Sequence, residues 1–349
     1  PTNRALAAAL ARMEAGESAQ VMASGMAAIS TTILQLCSSG DEIVSSRTVY
    51  GGTYALLANV LPRFGITTRF VDLADEAAVR RAMSTRTRVI YCESISNPLL
   101  EVADIPMLAN LAKECGAQLV VDNTFSPLII SPLRLGADVV IHSMTKFING
   151  TSDCVAGCVV SSHDFIAKLN DINAGTSMLL GPVLDSIRAA SILKNLHSLH
   201  VRMPRHSVNA QFLAEQLQEA GLAVHYPGLA GHPQHELMSR LMNHGYGFSG
   251  IVAVDVGDKE TADRLMMRLQ EEKVGYLAVS LGYFRTLFSA PTHSTSSEIP
   301  PEQRAKMGMG DGLIRFSVGL DNDMQGTWRK IDGLLHELGV AGPLVGGPA

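Results

Sequence analysis

The sequence predicts an α/β fold in which a large part, built on a mostly parallel and doubly wound sheet, is followed by a smaller α+β part. Three observations point there. Between residues 40 and 160, short apolar runs alternate with amphipathic helical stretches. The runs "QLVVD" and "DVVIH" are apolar on both faces, as strands covered by helices on each side must be. After about residue 180 the alternation gives way to long helical periodicity and then to mixed strands and helices.

Taken in order, the strands are "DEIVSS", "GITTRFVDL", "TRVIYCES", "AQLVVDNTF", "ADVVIHS" and "CVAGCVVSS". The pieces between them, such as "EAAVRRAMST" and "IPMLANLAKECG", have helical spacing and end in capping or breaking residues. "LDSIRAASILKNLHSLHVRMPRHSVNAQFLAEQLQEAG" reads as long helical segments. A second domain is expected to begin near residue 205, dividing the chain into 1–204 and 205–349. The 349 residues, 46% of them hydrophobic, suffice for a sizeable core.

Charge and composition narrow the function. Lys and Arg number 28 against 33 Asp and Glu, a net charge of -5, and the basic residues are scattered, so neither nucleic acid nor an acidic membrane is expected as partner. A small molecule is the expected ligand. The five cysteines are odd in number and lack metal-binding spacing, which fits free thiols in a reducing compartment, the cytoplasm. No run of eighteen apolar residues exists, and the polar, helical start does not resemble a signal peptide.

In doubly wound sheets ligands bind outside the carboxyl ends of the strands. "QLVVDNTF" delivers Asp122 to that edge, and "ADVVIHSMTK" delivers Ser143, Thr145 and Lys146 to it. An aspartate and a lysine there also suit a simple ion pair. "ASGMAAISTTILQL" opens a helix at a Ser-Gly-Met turn, where the N–H groups near Ser24, Gly25 and Met26 form an anion cup. That turn also suits a purely structural helix start, and Tyr50 in "RTVYGGTY" also suits a core aromatic. Together an anion cup, an aromatic ring, an acid and a lysine are the inventory for pyridoxal 5'-phosphate: the lysine forms a Schiff base and the acid keeps the pyridine nitrogen protonated.

In "ASGMAAI", "VYGGTY", "ESISNPLLEVADI", "VVDNTF", "ADVVIHSMTKFINGTSD", "LHVRMPRHSVNA", "VSLGYFRTL" and "LIRFSVGL" the chain resembles, over essentially its whole length, the Cys/Met-metabolism pyridoxal-phosphate enzymes of fold type I. "MLLGP", "HSLHVRM", "YPGLAGHPQHEL" and "STSSEI" resemble the methionine γ-lyase branch. The resemblance implies that Lys146 carries the cofactor and then moves the Cα and Cβ protons, and that Asp122 pairs with the pyridine nitrogen. It implies that Gly25, Met26, Ser143 and Thr145 hold the phosphate. Tyr50 would stack on the cofactor ring and hand a proton to the leaving group, and Asn97 would lie near the cofactor's 3-oxygen with Glu93 supporting it. Arg315, which taken alone suits a surface ion pair, would fork onto the substrate carboxylate beside a wall of Ser280 and Leu281.

The implied reaction is γ-elimination from a sulfur amino acid: L-methionine to methanethiol, 2-oxobutyrate and ammonia. Cystathionine γ-lysis or γ-synthesis and O-acetylhomoserine sulfhydrylation share the same residues, and a catalytically silent scaffold is the reading from another class. A homotetramer, a dimer of dimers with shared active sites, is implied too, the family's Tyr-x-Arg pair for a neighbour's phosphate lying upstream of Pro1. Gly52 stands where many methionine γ-lyases have cysteine, Arg285 stands for the usual glutamate near the substrate entrance, and Thr151 for histidine or glycine. His232 and His235 read as a turn and helix start rather than a metal site, and His197, His200 and His206 as partly exposed or interfacial.

Overall fold

The computed structural model describes residues 1–294, 299, 302, 304 and 307–340; of "STSSEI", residues 295–298 lie outside the described residues. Among the described residues the larger sheet has the order β1 (Ser18–Met22), β7 (Gly157–Ser161), β6 (Val139–Ser143), β5 (Gln118–Asp122), β4 (Thr87–Glu93), β2 (Glu42–Ser46) and β3 (Thr67–Val71). Strands β2 to β6 run parallel, while β7 is antiparallel to both β6 and β1. Six of these strands coincide with the apolar runs read from the sequence. The seventh, β1, was not expected, because "SAQVM" is short and its pairing partner β7 lies far downstream.

Register aligns the strand ends. Glu93 pairs with Asp122 and Asp122 with Ile141, so Ser143 lies one pleat further along the face that Asp122 uses. Strand order reverses direction between β2 and β4, and the crevice this opens lies at the carboxyl ends of the strands.

The flanking helices start where side chains satisfy their free N–H groups. Ser24 caps α2 (Gly25–Leu36) by accepting from Ala27 N at 3.0 Å. Asp75 does the same for α4 (Glu76–Ala82), and Asp104 for α5 (Ile105–Cys115), which ends at Gly116 with φ of 72°. α1 (Thr2–Met13) packs on β1, and the buried Glu14 just beyond it bonds His142 Nε2 at 2.6 Å and accepts from Asn123 Nδ2 at 2.9 Å. This polar tie fixes α1 to the face of β5 and β6 opposite Asp122.

The long helical segment is two helices, α8 (Ser186–Leu196) and α9 (Leu199–Glu219), separated at His197–Ser198. Leu199 and Met203 of α9 join the core of the large sheet, whereas Ala210, Leu213 and Leu217 join a second core with Val252, Phe288, Phe316 and Ile331. His197 and His200 are exposed, but His206 corrects the expectation. It is fully buried, with Nδ1 2.7 Å from Val318 O and its ring edge-on to Phe147.

The second core lies on a smaller sheet, among the described residues in the order β10 (Tyr276–Leu277), β11 (Leu287–Ser289), β12 (Leu313–Ser317), β9 (Ile251–Asp255) and β8 (Ala223–His225). It is mostly antiparallel, and α11 (Lys259–Glu271) and α12 (Met324–Glu337) contribute to its core. The mixed strands and helices expected after residue 205 are therefore present. His235 opens α10 (His235–Leu241) and bonds Pro227 O, while His232 accepts from Gln234 N in the preceding turn. Among the described residues no helix is long and apolar enough to cross a membrane.

Two glycines make opposite predictions. A Cβ at Gly157 would lie 2.1 Å from the Ser24 carbonyl oxygen, so Gly157→Ala must displace the start of α2, at a cost of about 1–3 kcal/mol. Gly333, in α12, has open space around it, and Gly333→Ala is expected to gain about 0.5–1 kcal/mol. Urea unfolding of both variants checks the pair of signs.

Candidate active site

One cavity of about 240 Å³ collects the groups that the strand ends deliver. Gly25, Met26, Tyr50, Asn97, Asp122, Ser143, Thr145, Lys146, Leu281 and Arg315 all line it. Ser280 stands behind that lining and accepts a hydrogen bond from Lys146 Nζ at 3.1 Å. A larger cavity, about 560 Å³, lies between the β2 and β4 ends and the His225–Gln234 stretch. The smaller one is the better candidate, because there an amine, a guanidinium and buried acids converge.

At one end the cavity is built to face an anion. The first turn of α2 approaches β6 so closely that a Cβ on Gly25 would lie 2.8 Å from Ser143 Cβ. Only glycine lets the helix N-terminus and the Ser143 hydroxyl share that corner. Thr124 and Thr145 hold the corner in place. Ser143 N donates to Thr124 Oγ1 at 2.8 Å, and the Thr145 hydroxyl accepts from Ala156 N at 3.1 Å.

Across the cavity stand two acids on neighbouring strands. Asp122 accepts from Thr124 N at 3.0 Å. Glu93 accepts from Tyr50 N at 2.7 Å and Asn97 N at 2.9 Å, tying the loops after β2 and β4 together. Burial raises the pKa of both. For Glu93, burial and then the charge of Asp122 push it up to about 8 against the pull of its two N–H donors.

The cations are buried with them. Burial, then the nearby Arg315, pulls Lys146 down to about 8. Arg315 is 2% exposed and gives Nη1 to Asn97 Oδ1 at 2.8 Å and Nη2 to Val279 O at 3.2 Å, while its Nε is a buried donor with no partner among the described residues. Held by neutral acceptors, this fork suits a carboxylate. The surface ion pair that Arg315 alone suggested is therefore not what forms.

Tyr50 is the N-cap residue of α3 (Gly51–Ala55) and 41% exposed. A Cβ at Gly52 would meet its ring at 2.6 Å, so the absence of a side chain at 52 lets the ring fold back over the helix start. Arg285 does not line the cavity. It donates to Tyr276 Oη at 2.7 Å and its guanidinium lies 5.7 Å from that ring's centre. The sequence reading missed Thr124, Phe125, Val155 and Val279, which also line the cavity. Thr124 and Phe125 stand in the quoted "VVDNTF", where a hydroxyl two residues after the acid was the available signal.

A family model described as Cys/Met metabolism PLP-dependent enzyme matches residues 1–325. The chain is 44% identical over 335 residues to methionine gamma-lyase of Arabidopsis thaliana, covering 95% of this chain and 76% of that one. It is 39% identical over 326 residues to cystathionine gamma-lyase of Bacillus subtilis strain 168, covering 92% and 83%. It is also similar to the solved structure of cystathionine gamma-lyase from Lactobacillus plantarum complexed with L-serine, with a TM-score of 0.88, 32% identity and coverage of 96% and 87%. The donor set fits pyridoxal phosphate. The glycine-lined corner at Gly25 can take a phosphate, the Lys146 amine an aldehyde carbon, and Asp122 a pyridine nitrogen.

The raised pKa of Glu93 sets a pH dependence. Its ordinary value is 4.5 and its folded value about 8, so between them the folded chain binds more protons than the unfolded one and stability falls as pH rises. Without added cofactor, thermal melts from about pH 5 to pH 8 are expected to decline more steeply for the native chain than for Glu93→Gln. Equal slopes would show that Glu93 does not titrate there.

Proposed function

The chain belongs to the Cys/Met metabolism PLP-dependent enzyme family, and from that membership we propose that it converts L-methionine and water to methanethiol, 2-oxobutyrate and ammonia. Its cofactor is pyridoxal phosphate and its chemistry that of the carbon–sulfur lyases. The choice of methionine rests on the rim of the cavity. Val155 and Val279, 52% and 58% exposed, are apolar, and Arg285 is turned away onto Tyr276. A thioether methyl suits such a rim, whereas a distal ammonium and carboxylate find no charged partner in those residues.

The geometry supports the following residue roles. Gly25 and Met26 N–H groups with the Ser143 and Thr145 hydroxyls would hold the phosphate, and Asp122 would pair with the pyridine nitrogen. The bound cofactor supplies an electron sink for the carbanion left at Cα. Arg315, oriented by Asn97, forks onto the substrate carboxylate and so fixes which bond at Cα faces Lys146. The Lys146 amine would take the Cα proton and, once it has passed that proton on, the Cβ proton. With its pKa near 8, about a tenth of it is free base at pH 7, against well under a thousandth at the ordinary 10.5. The Tyr50 hydroxyl gives its proton to the departing sulfur. Ser280 and Leu281 wall the site.

We also propose the division at residue 205 and a homotetramer of two dimers with shared sites. The passage of α9 from one core to the other after Met203 supports the first. For the second, Met178, Leu179, Leu180, Val183 and Ile187 form a run of exposed apolar side chains near α7 (Thr176–Leu180) and the start of α8. Arg188 of α8 bonds the carbonyl of Val155 at the cavity rim, so a second copy on that face would close over the site.

Product release from the cofactor-loaded protein tests the reading. Methanethiol and 2-oxobutyrate are expected from L-methionine at a rate matching or exceeding 2-oxobutyrate release from L-cystathionine. Inert methionine beside active cystathionine would move the assignment to cystathionine lysis. Arg315→Lys, which keeps the charge but loses the fork, is expected to lower kcat/KM about 10- to 100-fold. Lys146→Ala is expected to abolish the visible absorbance of the bound cofactor.

A further inference from the structure

The motif "LHVRMPRHSVNA" contains an arginine that the chemistry above does not use. Arg202 of α9 is half-buried, and its guanidinium is spread over the loop that follows Lys146. Nη1 donates to Phe147 O at 2.6 Å, Nη2 to Ile148 O at 3.0 Å and Asn195 O at 3.3 Å, and Nε to Ser198 Oγ at 2.9 Å. All four acceptors are neutral. Burial accordingly pulls its pKa down to about 10.

A buried cation without a counter-charge is costly where an apolar side chain would pack as well, so the fork itself is the useful feature. It spans two successive carbonyls, a geometry a lysine ammonium does not reproduce. The same loop is pinned from other sides. Gly150 N donates to Lys146 O at 2.8 Å, and a Cβ on Gly150 would lie 2.4 Å from Arg202 Nη1. A Cβ on Gly282 would lie 2.4 Å from Phe147 N, and His206 stands edge-on to the Phe147 ring at 5.2 Å. The peptide after Lys146 is thus held between α9 and the turn that carries Ser280, the acceptor of the lysine amine.

We propose that Arg202 is a positioning residue that holds the Lys146 loop so that the amine stays inside the cavity against Ser280; this rests on the reading of Lys146 as the cofactor-binding base. Releasing the loop lets the amine reach water, and its proton affinity returns toward the ordinary 10.5 from about 8. The charged and titratable groups around the amine are Arg315 of β12, Asp122 of β5, Glu93 of β4 and Tyr50 at the start of α3, with His206 on the far side of the loop. Of these only His206 feels Arg202, whose charge adds to burial in lowering its pKa to about 4.

The test compares the native chain, Arg202→Met and Arg202→Lys, with Arg205→Ala on the exposed side of α9 as control. Lys146 in the cofactor-free proteins is labelled by brief acetylation across the neutral-to-alkaline range and read by peptide mass spectrometry. The native midpoint is expected near 8, and the Arg202→Met midpoint higher, each pH unit lowering the free-base fraction at fixed pH about tenfold. In the cofactor-loaded variant the acid limb of the kcat profile is expected to move the same way, KM for L-methionine to stay within about twofold, and the cofactor to be lost faster on dilution. Arg202→Lys should fall between, and Arg205→Ala should match the native chain.

A folded Arg202→Met with native labelling midpoint, kcat profile and cofactor retention overturns the proposal. If Arg202→Met gives no thermal transition, Ser198→Ala decides, because it removes the Nε acceptor without emptying the site. A smaller upward shift supports the proposal and no shift overturns it. If the native chain shows no visible cofactor band that Lys146→Ala abolishes, the reading of Lys146 fails, and the labelling midpoint still reports whether Arg202 holds that amine.

Discussion

Two cations and two acids taken out of water in one crevice govern this molecule. Lys146, Arg315, Asp122 and Glu93 would each be costly to bury as ions, and burial pushes both acids up and both bases down toward their neutral forms. The remaining cost is met by neutral partners: Asn97 and backbone carbonyls on Arg315, two N–H groups on Glu93, Thr124 on Asp122 and Ser280 on Lys146. These partners come from four different segments. The crevice therefore ties the large sheet to the smaller one, and the chemistry of the site and the cohesion of the fold share the same bonds.

The parallel sheet makes that gathering possible. Strands running the same way end at the same edge, so Glu93, Asp122 and Ser143 arrive side by side although a helix and a loop separate them in the chain. The smaller sheet adds what the large one lacks, a guanidinium from β12 and an amine acceptor from the turn before β11. Depressed basicity at Lys146 is a product of this enclosure, since burial is its leading cause. Anything that seals the loop, as the guanidinium of Arg202 does against two successive carbonyls, bears on the chemistry through solvent access alone.

Much of the fold was legible because parallel, buried strands leave continuous apolar runs, and "QLVVD" and "DVVIH" became β5 and β6. β1 was not, since a short edge element owes its form to a distant partner. The break between α8 and α9 was likewise hidden, because His197 and Ser198 do not interrupt helical periodicity strongly. His206 sits on a helix whose other histidine, His200, faces solvent, and only its burial against Phe147 and Val318 sets it apart.

From the sequence alone, the residue types of the site and their delivery to the strand ends were determined, because strand periodicity and helix caps are local properties and Asp122, Ser143, Thr145 and Lys146 stand within reach of them. Tertiary structure decided everything that depends on contacts between distant segments. It turned Arg285 onto Tyr276, made Arg315 a buried fork rather than a surface partner, brought Val155 and Val279 to the rim, and set the guanidinium of Arg202 on the lysine loop. Burial belongs to the assembled crevice, and no single stretch of chain encodes the water that folding removes.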